Sequence, residues 1–199
     1  MDKILILDFG SQYTQLIARK IRELNVFSQI VSYNISSEQI SKIRPSGLIL
    51  SGSPASVDFG GSPLPDKNIF RLKIPVLGIC YGMQVLAKSL GGNVAKAGKR
   101  EYGKVKIYIE GKDAIFRSIK SSFICWMSHA EEVAKLPSGF KRTARTDNCR
   151  TAAMVSADRR FYGVQFHPEV VHTQFGRDIL NNFIDICAVS YTHLQSPRD

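Results

Sequence analysis

Hydrophobic residues in the first half of the chain alternate between strand-like runs and helical spacing. Lys3–Asp8 is an Ile- and Leu-rich run closed by Asp8-Phe9-Gly10 and reads as a first β-strand. Leu16, Ile17, Ile21 and Leu24 then recur at helical spacing, and Ser11 stands where an N-cap would. Val26–Tyr33 reads as a second strand, and Ser36 with Gln39 has the spacing of a capping box opening a short helix. Gly47-Leu48-Ile49-Leu50 is a third strand, ended by the breaker-rich turn Ser51-Gly52-Ser53-Pro54. A loop from Ala55 to Pro65, a short helix and the strand Pro75-Val76-Leu77-Gly78-Ile79 follow. Strands alternating with helices predict an α/β fold, a mostly parallel central sheet flanked by helices.

The pattern changes after the helix that follows Cys80. Gly91-Gly92 ends that helix, and short strand-like runs succeed one another: Val105–Ile109, Phe123–Met127, Glu132–Lys135, Thr151–Ser156 and Phe161–Gln165. They predict an antiparallel extension of the main sheet or a small second sheet. Phe175–Ile186 reads as a closing amphipathic helix with Ile179, Phe183 and Ile186 on one side. Residues 1–187 are thus expected to form one domain, with residues 188–199, which lack periodicity and carry Pro197, as an irregular tail.

Composition narrows the function classes. With 44% hydrophobic and 22% charged residues the chain resembles an ordinary globular protein. No apolar run reaches the length of a membrane span, and Met1–Asp8 is too soon charged for a signal peptide, so no membrane association and a cytoplasmic location are expected. The net charge of +10 would suit nucleic acid, but the basic residues are scattered and no nucleic-acid-binding motif accompanies them. They predict a solvated basic face or a dock for an acidic partner rather than nucleic acid. Cys80, Cys125, Cys149 and Cys187 include no C-x-x-C pair, which predicts thiols, no disulfide frame and no metal site.

Candidate chemistry centres on Gly78-Ile79-Cys80-Tyr81-Gly82, between a buried strand and a helix. A nucleophile on such a turn has strained backbone, and the flanking glycines remove side chains that would collide with neighbouring elements. At a helix N-terminus, free N–H groups and the macrodipole favour a thiolate. A thiolate nucleophile needs a base and the base an orienting group, which His167-Pro168-Glu169 offers at a strand end. Pro168 restricts His167 to an extended conformation. His129, His172 and His193 are weaker candidates: His172 follows the site by a few residues, and His193 lies in the irregular tail. The amide of Tyr81 and the Gly52-Ser53-Pro54 turn are candidate oxyanion donors, each the kind whose loss costs about 10²–10³ in rate.

These residues resemble a known family. Gly78-Ile79-Cys80-Tyr81-Gly82-Met83-Gln84, Gln165-Phe166-His167-Pro168-Glu169-Val170 and the Ser51-Gly52-Ser53-Pro54 turn are similar to the motifs of the triad-type (class I) glutamine amidotransferases, whose fold is flavodoxin-like. Within that family the opening Ile4–Tyr13, Arg100-Glu101-Tyr102-Gly103, Trp126-Met127-Ser128-His129 and Glu169-Val170-Val171-His172-Thr173 resemble the glutaminase part of GMP synthetases. The resemblance covers residues 1 to about 187 and implies a Cys80–His167–Glu169 triad that hydrolyses the glutamine amide through a γ-glutamyl thioester. It further implies that Gln84 and the backbone at Ser128, His129 and Ala130 contact the amino-acid end of glutamine, with Gly52, Ser53 and Tyr81 lining the oxyanion pocket. Ammonia would pass to a synthetase domain or subunit that uses ATP and Mg²⁺ to convert XMP to GMP. No cofactor is implied for this domain itself.

Three departures stand out. Ser53 occupies the second glycine of the family's Ser-Gly-Gly-Pro, and Ser128-His129-Ala130-Glu131 replaces Ser-His-Gly-Asp. The Ser-Gly-Gly-Val-Asp-Ser pyrophosphate loop of the synthetase part occurs nowhere. The expectation is therefore a separate glutaminase subunit or a truncated copy whose residues 188–199 are not native, with any homodimer contact in missing C-terminal parts. The alternatives are the glutaminase component of anthranilate, aminodeoxychorismate, carbamoyl-phosphate or CTP synthesis, a catalytically silent regulatory domain of the same fold, and a cysteine peptidase or γ-glutamyl hydrolase.

Overall fold

The computed structural model describes residues 3–58 and 60–195. These residues form one nine-stranded sheet and four α-helices. The strands are β1 (Lys3–Asp8), β2 (Phe27–Ser32), β3 (Gly47–Leu50), β4 (Val76–Ile79), β5 (Asn93–Ile109), β6 (Ser122–Lys135), β7 (Phe140–Arg145), β8 (Ala153–Ser156) and β9 (Phe161–Val164). The helices are α1 (Thr14–Arg22), α2 (Ser37–Ile43), α3 (Tyr81–Ser89) and α4 (Gly176–Gln195). The strand order is β2-β1-β3-β4-β9-β8-β7-β5-β6. Its first five members pair in parallel and the remainder antiparallel. The antiparallel strands thus extend the main sheet, and no second sheet forms among the described residues.

Both faces of the parallel half are dry, because successive side chains of a strand point to opposite faces. Ile4 and Ile6 pack with Ile17, Ala18 and Ile21 of α1 and Ile179, Leu180 and Phe183 of α4. Leu5 and Leu7 pack on the other face with Ile40 of α2 and Met83 and Leu86 of α3. Chain direction across the sheet reverses beside β1, so a crevice opens at the carboxyl ends of β1 and β3, the usual ligand position in open α/β sheets.

Several local expectations hold and several need correction. Ser36 and Gln39 form the full capping box of α2. Ser11 is not the cap of α1: that helix starts at Thr14, and Ser11 Oγ accepts from Tyr13 N at 3.0 Å. Asp8 has taken over the turn, accepting from Gly10 N (2.9 Å) and Thr14 Oγ1 (2.7 Å). The short helix before β4 is a 3-10 turn, Lys67–Arg71, started by the Asp66 side chain on Asn68 N. Phe123–Met127 and Glu132–Lys135 are parts of the single strand β6, and β5 begins at Asn93 rather than Val105. β7, absent from the pattern reading, carries Lys141, Arg142 and Arg145, which mask its alternation. Helix α4 runs on to Gln195, so residues 188–195 are helical rather than irregular. Residues 196–199, including Pro197, and the side chain of His193 lie outside the described residues.

Two glycines set the depth at which α3 sits. A Cβ on Gly78 would lie 2.6 Å from the backbone of Gly82 and Met83, and one on Gly82 would collide with the Leu50 carbonyl in β3. Neither neighbour is a flexible side chain that could swing away. Gly82→Ala is expected to destabilise by about 2–3 kcal/mol through overpacking. For a chain of this size that lowers the melting temperature by about 5–10 °C in a thermal scan. Gly98→Ala, where an added methyl meets nothing within 4 Å, should melt like the parent.

Candidate active site

Cys80 ends β4 and precedes α3 with φ 54° and ψ −110°, a backbone conformation that residues bearing a Cβ rarely adopt. Its N–H donates to Val164 O of β9 at 2.8 Å, which ties the elbow to the strand leading to His167. Cys80 is the N-cap of α3: its carbonyl accepts from Met83 N (3.0 Å) and Gln84 N (3.3 Å), while the Tyr81 N–H belongs to the first turn, where helix N–H groups lack an intrahelical acceptor. The Tyr81 phenol turns away and donates to Pro63 O at 2.8 Å, pinning the 51–65 loop. Burial and the nearby Glu131 charge push that phenol up to about 12.

His167 is held by its backbone as well as its ring. Its N–H donates to Trp126 O of β6 (3.0 Å), and Thr173 Oγ1 donates to its carbonyl (2.6 Å). The ring Nδ1 lies 2.7 Å from Glu169 Oε1, and Cys80 is near enough to raise the imidazole's pKa. All three side chains are buried, Glu169 to within 1% of full exclusion. Burial works against charge on His167, but the Glu169 carboxylate and the Cys80 sulfur outweigh it and hold the imidazole well above its usual pKa. Glu169 Oε2 has no hydrogen-bond partner among the described residues, so one oxygen alone orients the ring.

Two cavities meet at Cys80. One, of about 300 Å³, is lined by Ser53, Gln84, Ser128, His129, Ala130 and Glu131 among others. The second, about 280 Å³, opens between Tyr13, Ser53, Ser128 and His167. Gly52 abuts the base: a Cβ there would sit 3.4 Å from His167 Cε1. The fold therefore gathers every site residue expected from the sequence around one sulfur. His172 stays apart, its ring against Trp126 with centroids 4.9 Å apart.

The sequence reading missed three participants. Gln165 Nε2 lies 3.7 Å from Cys80 Sγ, and Gln165 Oε1 accepts from Gln84 Nε2 at 3.3 Å. Both Gln165 and His167 lie past the end of β9, so strand alternation does not announce the contact. Ser51 Oγ, fully buried, accepts from Phe9 N (2.9 Å) and donates to Gly52 O (3.0 Å), orienting the turn peptide. Ser56 Oγ donates to Glu131 Oε1 at 2.5 Å and closes the cavity rim; no local pattern announces that contact.

A strained cysteine elbow thus faces a buried His–Glu pair at the carboxyl edge of the parallel part of an α/β sheet, an arrangement able to support cysteine-dependent hydrolysis. Comparison with known proteins makes the class specific: the chain belongs to the family described as Glutamine amidotransferase class-I, whose profile matches residues 5–187. It is 52% identical over 188 residues to the glutamine-hydrolysing GMP synthase of Acetivibrio thermocellus, covering 94% of this chain and 37% of that one. With the GMP synthase of Halothermothrix orenii it shares 53% over 193 residues, 96% of this chain and 38% of the relative. The chain thus spans a little over a third of these curated relatives. The crystal structure of a putative GMP synthase subunit from Thermoplasma acidophilum superposes with a TM-score of 0.85 at 36% identity, covering 98% of both chains. A glutamine amidotransferase from Thermotoga maritima shares the fold, with a TM-score of 0.68 at 19% identity over 98% of this chain and 86% of that one. No helix among the described residues is long and apolar enough to cross a membrane.

Two outcomes follow from this electrostatic layout. Iodoacetamide at neutral pH should label Cys80, which lines both cavities, and leave Cys125 and Cys149 unmodified until the protein unfolds. Cys125 is fully buried and its thiol is pushed up to about 12 by burial and the Glu101 charge. Peptide mapping by mass reads the difference. The raised pKa of His167 means the native state holds a proton there that the unfolded chain releases above about 6.5. The stability this contributes is complete below that pH and declines as pH rises toward the native pKa. The difference in urea midpoint between the parent and His167→Gln should therefore favour the parent most at pH 5.5 and shrink by pH 9.

Proposed function

We propose that the chain hydrolyses the side-chain amide of glutamine to glutamate and ammonia. The observation that carries the reading is the Cys80–His167–Glu169 arrangement, with His167 Nδ1 2.7 Å from Glu169 and both Cys80 and His167 lining one cavity. Cys80 attacks the carboxamide carbon while its proton resides on His167. The oxyanion is received by the Tyr81 N–H and the Gly52-Ser53 turn. His167 then gives the proton to the departing nitrogen, ammonia leaves, and a γ-glutamyl thioester remains on Cys80. Water, deprotonated by the same imidazole, attacks the thioester, and glutamate departs as the sulfur is restored. Glu169 holds the ring with Nδ1 protonated and offsets the imidazolium charge. A cavity of about 300 Å³ suits an amino acid. Gln84, Ser128, His129 and Ala130 line it together with Cys80, and the α-amino and α-carboxylate groups would lie against them.

The ammonia is proposed to serve the conversion of XMP to GMP by a synthetase domain or subunit. The support is the half-identity to glutamine-hydrolysing GMP synthases and the likeness to the Thermoplasma acidophilum protein described as part of a GMP synthase. ATP and Mg²⁺ belong to that partner, because its Ser-Gly-Gly-Val-Asp-Ser pyrophosphate loop does not occur in this sequence.

A diazo-ketone analogue of glutamine is expected to alkylate Cys80, located by mass, with free glutamine protecting; an adduct elsewhere, or none, defeats the glutaminase reading. Glu169→Gln should lower kcat by up to about 10⁴, as loss of the orienting carboxylate does in related triads. Addition of a separately expressed ATP-pyrophosphatase domain of a GMP synthetase should yield glutamine-dependent GMP and raise glutaminase turnover. Ammonia-dependent but not glutamine-dependent amination of XMP in that mixture would remove the pathway assignment and leave the hydrolase.

A further inference from the structure

Glu101 of β5 is a carboxylate with its side chain 2% exposed, and the proposed reaction makes no use of it. Such burial is expensive unless the oxygens are bonded. Oε1 accepts from Thr146 Oγ1 (2.7 Å) and Asn148 Nδ2 (3.3 Å), and Oε2 faces His129 Nε2 at 3.3 Å. Burial opposes the charge, but these hydrogen bonds outweigh it and hold the carboxyl below its usual range. His129 in turn lines the Cys80 cavity and sets its Nδ1 2.9 Å from Glu131 O. The same carbonyl accepts from Gln84 Nε2 at 2.9 Å. A continuous chain of bonds therefore runs from Thr146 and Asn148 through Glu101, His129 and the Glu131 carbonyl to Gln84.

The location explains why a carboxylate is kept there. β5 and β6 are in register at Lys96↔Glu131 and again at Glu101↔His129, so residues 97–100 bulge opposite Ala130. A bulge leaves the facing residue without a ladder partner and loosens the strand where it sits. The bond between Glu101 and His129 closes the pair again directly beyond it. Cys149 Sγ joins Glu101 and His129 within 4.8 Å, a grouping of metal-ligand types. However, both carboxylate oxygens are already bonded. The Cys149 thiol is also pushed well up by burial and by Glu132 and Glu101, which favours its protonated, weakly ligating form.

We infer that Glu101 is a positioning residue for the glutamine pocket: through His129 it holds the Ser128–Glu131 wall, and with it Gln84, in the geometry that receives the amino-acid end of the substrate. The inference rests on the glutaminase reading above. It is tested with Glu101→Ala and Glu101→Gln in this chain. Glutamine at 101 keeps an oxygen for Thr146 and can donate to a neutral His129 whose Nδ1 proton goes to the Glu131 carbonyl, so the network closes without the charge. The Ala variant is expected to raise the glutamine KM about tenfold with kcat changed less than about threefold, and the Gln variant to restore KM to within about threefold of the parent. An unchanged KM in Glu101→Ala, or an equal rise in both variants, overturns the proposal. If Glu101→Ala does not fold, Asn148→Ala removes the 3.3 Å side-chain donor to Oε1, and should shift KM in the same direction by a smaller factor. Should the parent hydrolyse no glutamine, the glutaminase reading fails on its own account. ¹⁵N-imidazole NMR then still decides the positioning role: slowly exchanging His129 ring N–H signals lost in the Ala variant and kept in the Gln variant support it, and identical spectra refute it.

Discussion

Helix α3 approaches the ends of β3 and β4 more closely than any side chain at positions 78 or 82 would permit, and the site depends on that contact. The turn between β4 and α3 has to be tight, and the residue in it takes a strained conformation with its side chain at the carboxyl edge of the sheet. That residue is Cys80. Because its N–H is bonded to Val164, the elbow and the strand leading to His167 move as one body. The strain at Cys80 is held by the packed sheet beneath it and places the sulfur at the helix N-terminus, where developing negative charge is best received.

The two halves of the sheet divide the work. The parallel half carries the residues of the proposed chemistry: the elbow from β4, the Ser51-Gly52-Ser53 turn from β3, and the His–Glu segment after β9. The antiparallel half supplies the wall facing it. The β5–β6 hairpin curls back so that Trp126 accepts from His167 and Ser128 O comes within 3.6 Å of Cys80 Sγ. The loop after β3 is then strapped across the cavity by Ser56 on Glu131, Tyr81 on Pro63, and Lys88 on Asp58. Glu131, longer than the aspartate usual at this place in the family, reaches that strap directly. Whatever the pocket recognises is framed by the half of the sheet that carries none of the triad.

The legibility of these parts from sequence followed the range of the forces that make them. Elements governed by local spacing were read correctly: four of the five parallel strands, the Ser36–Gln39 capping box, the breaker-rich turn at Ser51–Pro54 and the glycine-flanked cysteine; β9, expected in the antiparallel extension, instead pairs in parallel with β4. Elements whose surroundings decide them were not. Ser11 has the side chain of a cap, but Asp8 competes for the same turn and wins it through Thr14. β7 and the first half of β5 are rich in basic and small residues that break the apolar–polar alternation, so their strand character appears only once neighbours pair with them.

By itself the sequence determined the α/β architecture, the cysteine elbow and the adjacency of His167 and Glu169, because glycine sterics, side-chain periodicity and a two-residue spacing are properties of the local chain. The tertiary structure alone decided that the antiparallel strands extend the main sheet, that Gln165 and Ser51 attend the sulfur and the turn, and that Glu101, far from both motifs in sequence, reaches the pocket through His129. Those relations are made by residues 28 to 85 positions apart meeting in a dry interior, where an unbonded polar group is costly and each must find its partner.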